Sequence, residues 1–160
     1  TGDSQTAKIA ITTSLTGHLL LASLHAKDTY ETIYRLKSLD LNLIDISHSV
    51  SLIISTKLVN KLCHKCKILD LNASNAYDAT IYKKTGCSIC DYSGYQKRVL
   101  LTEHLYFNEN IKELIMSGSL SKTALEERGI NCDYLPFKKT LLNCFYEGEI
   151  DEKQYNQLKN

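Results

Sequence analysis

The chain has 160 residues, of which 43% are hydrophobic, and this is enough to build the core of one ordinary domain. Its 19 lysines and arginines against 18 acidic residues leave a formal net charge of +1, so no strong overall field attracts nucleic acid or an anionic lipid surface. The longest apolar runs fall far below the roughly 20 residues that cross a bilayer, and the first residues lack a signal-peptide pattern. These features predict a globular cytoplasmic protein.

The first 25 residues predict a helix followed by a strand. An apolar face with helical spacing follows Asp3, whose default interpretation is a helix N-cap, and Gly17 supplies the stop. His18 to Leu24 is a short apolar run of strand length, typical of a strand covered on both faces. A helix that leads into a buried strand indicates an α/β protein.

The rest of the chain continues this mixture of helices and strands. The pattern predicts, in order, a helix opening at Asp28, a helix over residues 46–54, strands over residues 57–62 and 98–101, and helices over residues 108–116, 121–128, 136–146 and 151–158. We find no internal repeat and no low-complexity tract.

Four cysteines form the strongest chemical pattern. Cys63 and Cys66 make one Cys-x-x-Cys pair, and Cys87 and Cys90 make a second pair after twenty intervening residues. Two such pairs can offer four thiolates to one ion, in the closed tetrahedron that structural zinc prefers, and this leaves no open position for catalytic water. The polar loop between the pairs cannot bury enough surface to fold alone, so the metal would stabilise it. A disulfide between Cys63 and Cys66 is the alternative.

The remaining cysteines and the histidine of the first pair carry less information. Cys132 and Cys144 lie in apolar helical patterns, which fits a reducing compartment better than a disulfide framework. His64 lies within the first pair and is expected to face solvent, since four cysteines already complete the site.

Two histidines flank the predicted strand of residues 18–24. Ligands gather beyond the carboxyl ends of strands in α/β sheets, so His25 is placed to reach a ligand, whereas His18 lies at the opposite end. The alternative is that both are ordinary polar residues at strand ends. No Gly-x-x-x-x-Gly-Lys-Ser/Thr loop occurs in these residues, and neither do the motifs of serine hydrolases or zinc proteases.

Three blocks, in the same order, resemble the ATPases of type II secretion and type IV pilus extension. Asp3–Ala7 is similar to the segment after the family's Walker B glutamate, and Thr16–His25 is similar to its histidine box. The four-cysteine pattern followed by Gly94–Arg98 resembles the metal-binding insertion of extension and secretion members, which pilus-retraction motors typically lack. The chain departs from the family at Gly2, where an arginine is usual, and over Thr56–Asn60, where the family has Gln-Arg-Leu-x-Arg.

The resemblance implies the carboxyl-terminal portion of a RecA-like P-loop ATPase core, with a tetracysteine zinc-binding insertion and an α-helical tail. Residues 1–61 would belong to the core, residues 62–97 to the insertion, and residues 98–160 to a return strand and the helical subdomain. In the parent enzyme His25 would sense the γ-phosphate, and His18 and Asp3 would lie near the nucleotide. Zinc would be structural, and the parent would use Mg-ATP.

The same resemblance implies a homo-hexameric motor held at the inner membrane by assembly-platform proteins, handling pilin or pseudopilin indirectly and binding no nucleic acid. The leading hypothesis is therefore a fragment of such a motor without its P-loop, inactive alone. The alternative is a free-standing zinc module that binds a protein partner or nucleic acid, for which the sequence offers a cluster of lysines near the cysteines: Lys57, Lys61, Lys65, Lys67, Lys83 and Lys84.

Overall fold

The computed structural model of the protein describes residues 3–129 and 134–159. Its helices are α1 (Ser4–Leu15), α2 (Thr29–Ser38), α3 (Leu43–Ser49), α4 (Leu71–Tyr77), α5 (Glu109–Met116), α6 (Lys122–Gly129), α7 (Phe137–Tyr146) and α8 (Glu152–Leu158). Its strands are β1 (Leu52–Leu62), β2 (Ile68–Leu69), β3 (Tyr82–Lys83), β4 (Tyr95–Tyr106) and β5 (Tyr134–Leu135). The α/β class is confirmed. Within these ranges no helix is both long and apolar enough to cross a membrane.

The main sheet has the strand order β1-β4-β5, and β2 pairs with β3 in a separate antiparallel ribbon. Strands β1 and β4 are antiparallel, because Phe107 N donates to Ser51 O at one end of the pair and Cys63 N donates to Gly94 O at the other, both at 3.0 Å. Strand β5 is antiparallel to β4. The end of β1 therefore lies beside the start of β4, and the two Cys-x-x-Cys pairs lie next to this point.

The chain divides into two compact units, and the boundaries fall within β1, within β4, and between β5 and α7. Unit 1 comprises Thr1–Ser55 and Glu103–Pro136, and unit 2 comprises Thr56–Thr102 and Phe137–Asn160. The three-part division expected from the sequence drew its boundaries elsewhere and stays a prediction.

Unit 1 is built around α3, which packs against α1, α2 and α5, while α6 packs against α5 and β5. The helix starts follow the predicted caps: Asp28 Oδ1 accepts from Glu31 N at 2.7 Å, and Asn108 Oδ1 accepts from Ile111 N at 3.0 Å. The most enclosed apolar side chains of its core are Ile33, Ile46, Leu105, Ile111 and Leu125.

Residues 18–24, predicted as a buried strand, form no strand, and this prediction is wrong. Their backbone is irregular, and Leu19 and Leu21 are 92% and 91% exposed. An apolar run becomes a buried strand only when neighbouring strands take its backbone hydrogen bonds, and no strand among the described residues pairs with this one. The strand-end argument for His25 therefore fails, and the role of this residue depends on the family resemblance.

The helix predicted over residues 46–54 is shorter than expected. Helix α3 ends at Ser49, Val50 is extended, and Ile53 and Ile54 already lie in β1. The physical reason is the run of β-branched residues, because their side chains lose rotamer freedom in a helix and pack well on a sheet.

Unit 2 has an aromatic core on the side of α7 and α8. Phe145 is fully buried, stacks on Tyr155 with ring centroids 4.5 Å apart, and meets Tyr77 edge-on at 5.0 Å. Aromatic pairs in these two geometries contribute beyond the area that they bury. Phe145 therefore joins both helices to α4 within unit 2.

Replacing Phe145 with alanine is expected to lower the free energy of unfolding by about 3–5 kcal/mol, because it removes both ring contacts and leaves a cavity. Replacing the adjacent Tyr146, which is 46% exposed, should cost about 1 kcal/mol or less. Urea denaturation followed by circular dichroism measures both. Equal losses for the two variants would contradict the buried position of Phe145.

Candidate metal centre

Two tight turns present the four cysteines. The first follows β1, where Cys66 N and Lys67 N both donate to Cys63 O, at 3.3 and 3.0 Å. The second precedes β4, where Cys90 N donates to Cys87 O at 3.1 Å. In each turn the backbone folds back within three residues, which points both thiols of a Cys-x-x-Cys pair in one direction.

The structure brings the four Sγ atoms together, all within 4.8 Å of one another. The separations are 4.0 Å for Cys63 and Cys87, 3.7 Å for Cys66 and Cys90, and 3.8 Å for Cys87 and Cys90. Four sulfur atoms at about 2.3 Å from a tetrahedral zinc ion would lie roughly 3.8 Å apart. The donor set therefore has the dimensions of a tetrathiolate metal site, and all four cysteines are free thiols rather than disulfides.

Backbone amides prepare Cys90 to act as a thiolate. Its Sγ accepts from Cys87 N and Gly94 N, both at 3.3 Å. Burial raises the pKa of this thiol, but the two amides, assisted by the Cys66 and Cys87 thiols, outweigh it and lower the pKa to about 6. Burial raises the pKa of the Cys66 thiol to about 11, so without a cation the cluster cannot carry four negative charges. A bound cation is what would make all four thiolates compatible.

Gly94 is required by both its backbone and its surroundings. Its φ is +77°, and a Cβ atom there would lie 2.6 Å from Lys84 Cβ. The residue also accepts from Cys63 N through its carbonyl, so it contacts both cysteine turns. Gln96 contacts the first cysteine turn, because its Oε1 is 3.1 Å from Nδ1 of His64. His64 is exposed and faces solvent, as predicted.

The cysteine loops are fastened to the turn between α7 and α8, within unit 2. Lys67 Nζ donates to Gly148 O at 2.8 Å and lies 4.2 Å above the Tyr82 ring. Tyr95 Oη donates to Asp151 Oδ2 at 2.7 Å, and burial followed by this carboxylate raises the pKa of Tyr95. The loop is therefore attached to unit 2 by contacts besides the cysteines. These contacts matter because its own ribbon is short: β2 and β3 have only two residues each.

The residues expected near a nucleotide lie in unit 1. Asp3 caps α1, with one carboxylate oxygen accepting from Thr6 N at 2.7 Å and the other from Thr6 Oγ1 at 2.8 Å; these bonds lower its pKa. His18 Nδ1 is 3.2 Å from Thr16 Oγ1, and His25 is exposed. Within residues 3–129 and 134–159 no hydrogen bond or ion pair joins Asp3, His18 and His25 to one another.

Cys144 is buried in the unit 2 core, in α7, well separated in sequence from the metal-binding pairs. Cys132, the other cysteine outside the pairs, lies outside the described residues.

A buried carboxylate, Glu103, was missed as a site residue. It is 4% exposed on β4 between Leu101 and Leu105, whose side chains are 2% and 0% exposed. Alternate residues of a strand share one face, so an acidic residue between two core leucines signals a buried, hydrogen-bonded carboxylate. The alternation was readable from the sequence, and the partner of Glu103 was not.

Two solved structures share this fold. The pilus retraction motor PilT with bound ADP gives a TM-score of 0.64 at 21% identity, covering 98% of this chain and 37% of that one. The ATPase DotB of Yersinia pseudotuberculosis gives 0.67 at 20% identity, covering 99% of this chain and 35% of that one. This chain therefore shares its fold with a segment of each of these two proteins.

Sequence comparisons identify the family. The chain matches the type II/IV secretion system protein family over residues 2–138, and it belongs to that family. The type IV pilus assembly ATPase PilB of Thermus thermophilus is 34% identical over 136 residues, 78% of this chain and 15% of that protein. Type II secretion system protein E of Klebsiella pneumoniae is 30% identical over 144 residues, 86% of this chain and 29% of that protein. The chain thus spans less than a third of these two relatives.

The geometry predicts that the protein binds about one divalent ion per chain through the cysteine cluster. Cobalt titration of the reduced, metal-free protein should give the sulfur-to-metal absorption of a tetrathiolate site. Cys66→Ser should weaken or abolish that absorption, whereas Cys144→Ala, which removes a buried thiol outside the cluster, should retain it. Unchanged cobalt binding by Cys66→Ser would contradict the site.

Proposed function

We propose that this chain is part of a hexameric ATPase that powers the assembly of type IV pili or of type II secretion pseudopili. The observation that carries the proposal is the match to the secretion family over residues 2–138. In this proposal the phosphate cradle comes from residues outside these 160, because the sequence holds no P-loop and phosphoryl transfer needs phosphate and magnesium ligands.

The cysteine cluster supports an assembly motor rather than a retraction motor. The resemblance assigns a four-cysteine insertion to extension and secretion members, which retraction motors typically lack. PilB of Thermus thermophilus, which is 34% identical to this chain over 136 residues, is a type IV pilus assembly ATPase, and this agrees with the assignment. The motor would stay at the inner membrane through assembly-platform proteins and handle pilin or pseudopilin indirectly.

Zinc is the metal proposed for the cluster, with a structural role. Four cysteine thiolates are the donor set of closed zinc sites, and closure leaves no position for substrate or water. The ion would join the two turns that precede and follow the loop of residues 67–86, a loop with little apolar surface to bury.

The lysines near the cysteines are explained by the metal centre better than by nucleic acid. Residues 56–102 carry eight lysines and arginines against three aspartates. A divalent ion with four thiolates has a net charge of about −2, and nearby cations offset it. Several lysines also have partners within unit 2: Lys61 pairs with Glu149, and Lys57 Nζ lies 4.3 Å from the centre of the Phe137 ring. Family membership likewise does not favour a free-standing zinc module.

His25 is the residue proposed to sense the γ-phosphate in the intact ATPase, with His18 and Asp3 near the nucleotide. The exposure of His25 supports this role, because the imidazole is free to reach a ligand. Both carboxylate oxygens of Asp3 already accept from Thr6, so its contribution would be to fix the start of α1.

Replacing His25 with alanine in the intact ATPase should lower kcat about 10-fold or more, as expected when a polar group that stabilises the transition state is lost. His64→Ala, which removes an exposed histidine beside the cysteine cluster, should leave kcat unchanged. Steady-state phosphate release at saturating Mg-ATP measures both, with the hexamer verified by light scattering. Equal turnover in His25→Ala and the unmodified enzyme would refute the role.

A further inference from the structure

The segment that carries His25 has little structure of its own. Residues 18–26 form neither helix nor strand, and Leu19 and Leu21 are almost fully exposed. Leu24 packs against the core of unit 1, and the points where the two ends are attached set the rest of the segment's position.

The amino end is attached through the last turn of α1. Gly17 adopts a φ of +90° and its N–H donates to Ser14 O at 3.0 Å, which closes the helix. Thr16 and His18 contact each other across this turn at 3.2 Å. This end lies eight residues before His25, farther from the imidazole than the attachment at the carboxyl end.

The carboxyl end is attached through a buried carboxylate. Glu103 Oε1 accepts from Thr29 N at 2.7 Å and from Thr29 Oγ1 at 2.5 Å. Glu103 is 4% exposed and Thr29 is completely buried, so water does not compete for these bonds. Thr29 is the first residue of α2 and lies only four residues after His25.

A second carboxylate, that of Asp28, also stabilises the start of α2. Asp28 caps α2 through Glu31 N at 2.7 Å, and its Oδ2 accepts from Lys122 Nζ of α6 at 2.6 Å, which raises the pKa of the lysine. Thus Glu103 of β4, the start of α2 and Lys122 of α6, all in unit 1, meet at Asp28 and Thr29, where the segment ends.

The placement of Glu103 has a physical cost that its partners must offset. A carboxylate removed from water is destabilising unless hydrogen bonds and favourable dipoles replace its solvation. The start of α2 supplies a free N–H and the positive end of the helix dipole. The bond therefore fixes the carboxylate and the helix start together, and a shift of Thr29 would move the residues that precede it.

We infer that Glu103 is a positioning residue for His25: its buried carboxylate holds Thr29, and Thr29 fixes the end of the segment that presents the imidazole. The catalytic part of this inference rests on the proposed function, because it takes His25 to act on the nucleotide. The positional part concerns this chain alone.

The positional part is tested on the 160-residue chain with a matched pair of variants. Thr29→Val is nearly isosteric but lacks the hydroxyl that donates to Glu103, whereas Thr29→Ser keeps it. We expect backbone order parameters of residues 24–28 to fall from rigid values of about 0.85 toward 0.6 in Thr29→Val and to be retained in Thr29→Ser.

Thr140→Val is the control for general destabilisation, because that hydroxyl donates to Thr102 O and Phe137 O in unit 2. It should leave residues 24–28 unchanged. Order parameters in Thr29→Val equal to those of the unmodified chain, or matched by Thr140→Val, would overturn the inference. If Thr29→Val does not fold, Glu103→Met replaces it under the same criteria, since methionine keeps the length of the side chain and removes the oxygen that accepts from Thr29.

The catalytic part is tested in the intact ATPase. We expect Thr29→Val to lower kcat several-fold while the KM for Mg-ATP stays within about twofold, because nucleotide binding is left intact and only the imidazole is misplaced. Thr29→Ser should restore kcat. A kcat in Thr29→Val no lower than in Thr140→Val overturns this part.

His25→Ala, measured beside these variants, separates the two failures. If His25→Ala is fully active, the proposed role of His25 is wrong, and the order parameters still decide whether Glu103 positions the segment. If His25→Ala is impaired and Thr29→Val is not, the proposed role stands and the inference fails.

Discussion

The meeting of four sulfur atoms where β1 ends and β4 begins is the constraint on which unit 2 depends. Between the two cysteine pairs the chain makes only a two-residue ribbon and one short helix, α4. Few buried side chains come from this stretch, chiefly Ala73 and Ile81. The positions of the cysteines are therefore maintained by the two turns, by Gly94 and by the contacts with the α7–α8 turn. A bound ion would link the two turns directly.

The cluster of four cysteines could be predicted from the sequence because its information is local. A Cys-x-x-Cys pair closes a tight turn within four residues, and a twenty-residue loop between the pairs lets the turns meet. What the sequence did not reveal are the contacts that tune the site, such as the amide of Gly94 on Cys90. Those contacts depend on which residue the returning strand places opposite the cysteines, and this register is set by the whole sheet.

The secondary structure could likewise be predicted where neighbouring residues determine it, and not where distant parts of the chain do. Asp28 and Asn108 could be recognised as caps because the side chain and the amide that it accepts from are three residues apart. The run of residues 18–24 could not be assigned correctly from its own composition. Whether such a run becomes a strand depends on partner strands far away in the chain, and none of the described strands pairs with it. Composition indicated apolar burial and the structure shows exposure.

That exposure agrees with the proposed function. Leu19 and Leu21, 92% and 91% exposed in an irregular segment, form an apolar surface of the kind that a partner surface in an assembly would cover. In the proposed ATPase the remainder of the nucleotide-binding core would supply that cover. The hydrogen bonds that Thr29 donates to Glu103 then have a clear purpose, because a segment without helix or strand needs a fixed end if His25 is to meet the nucleotide in a defined place.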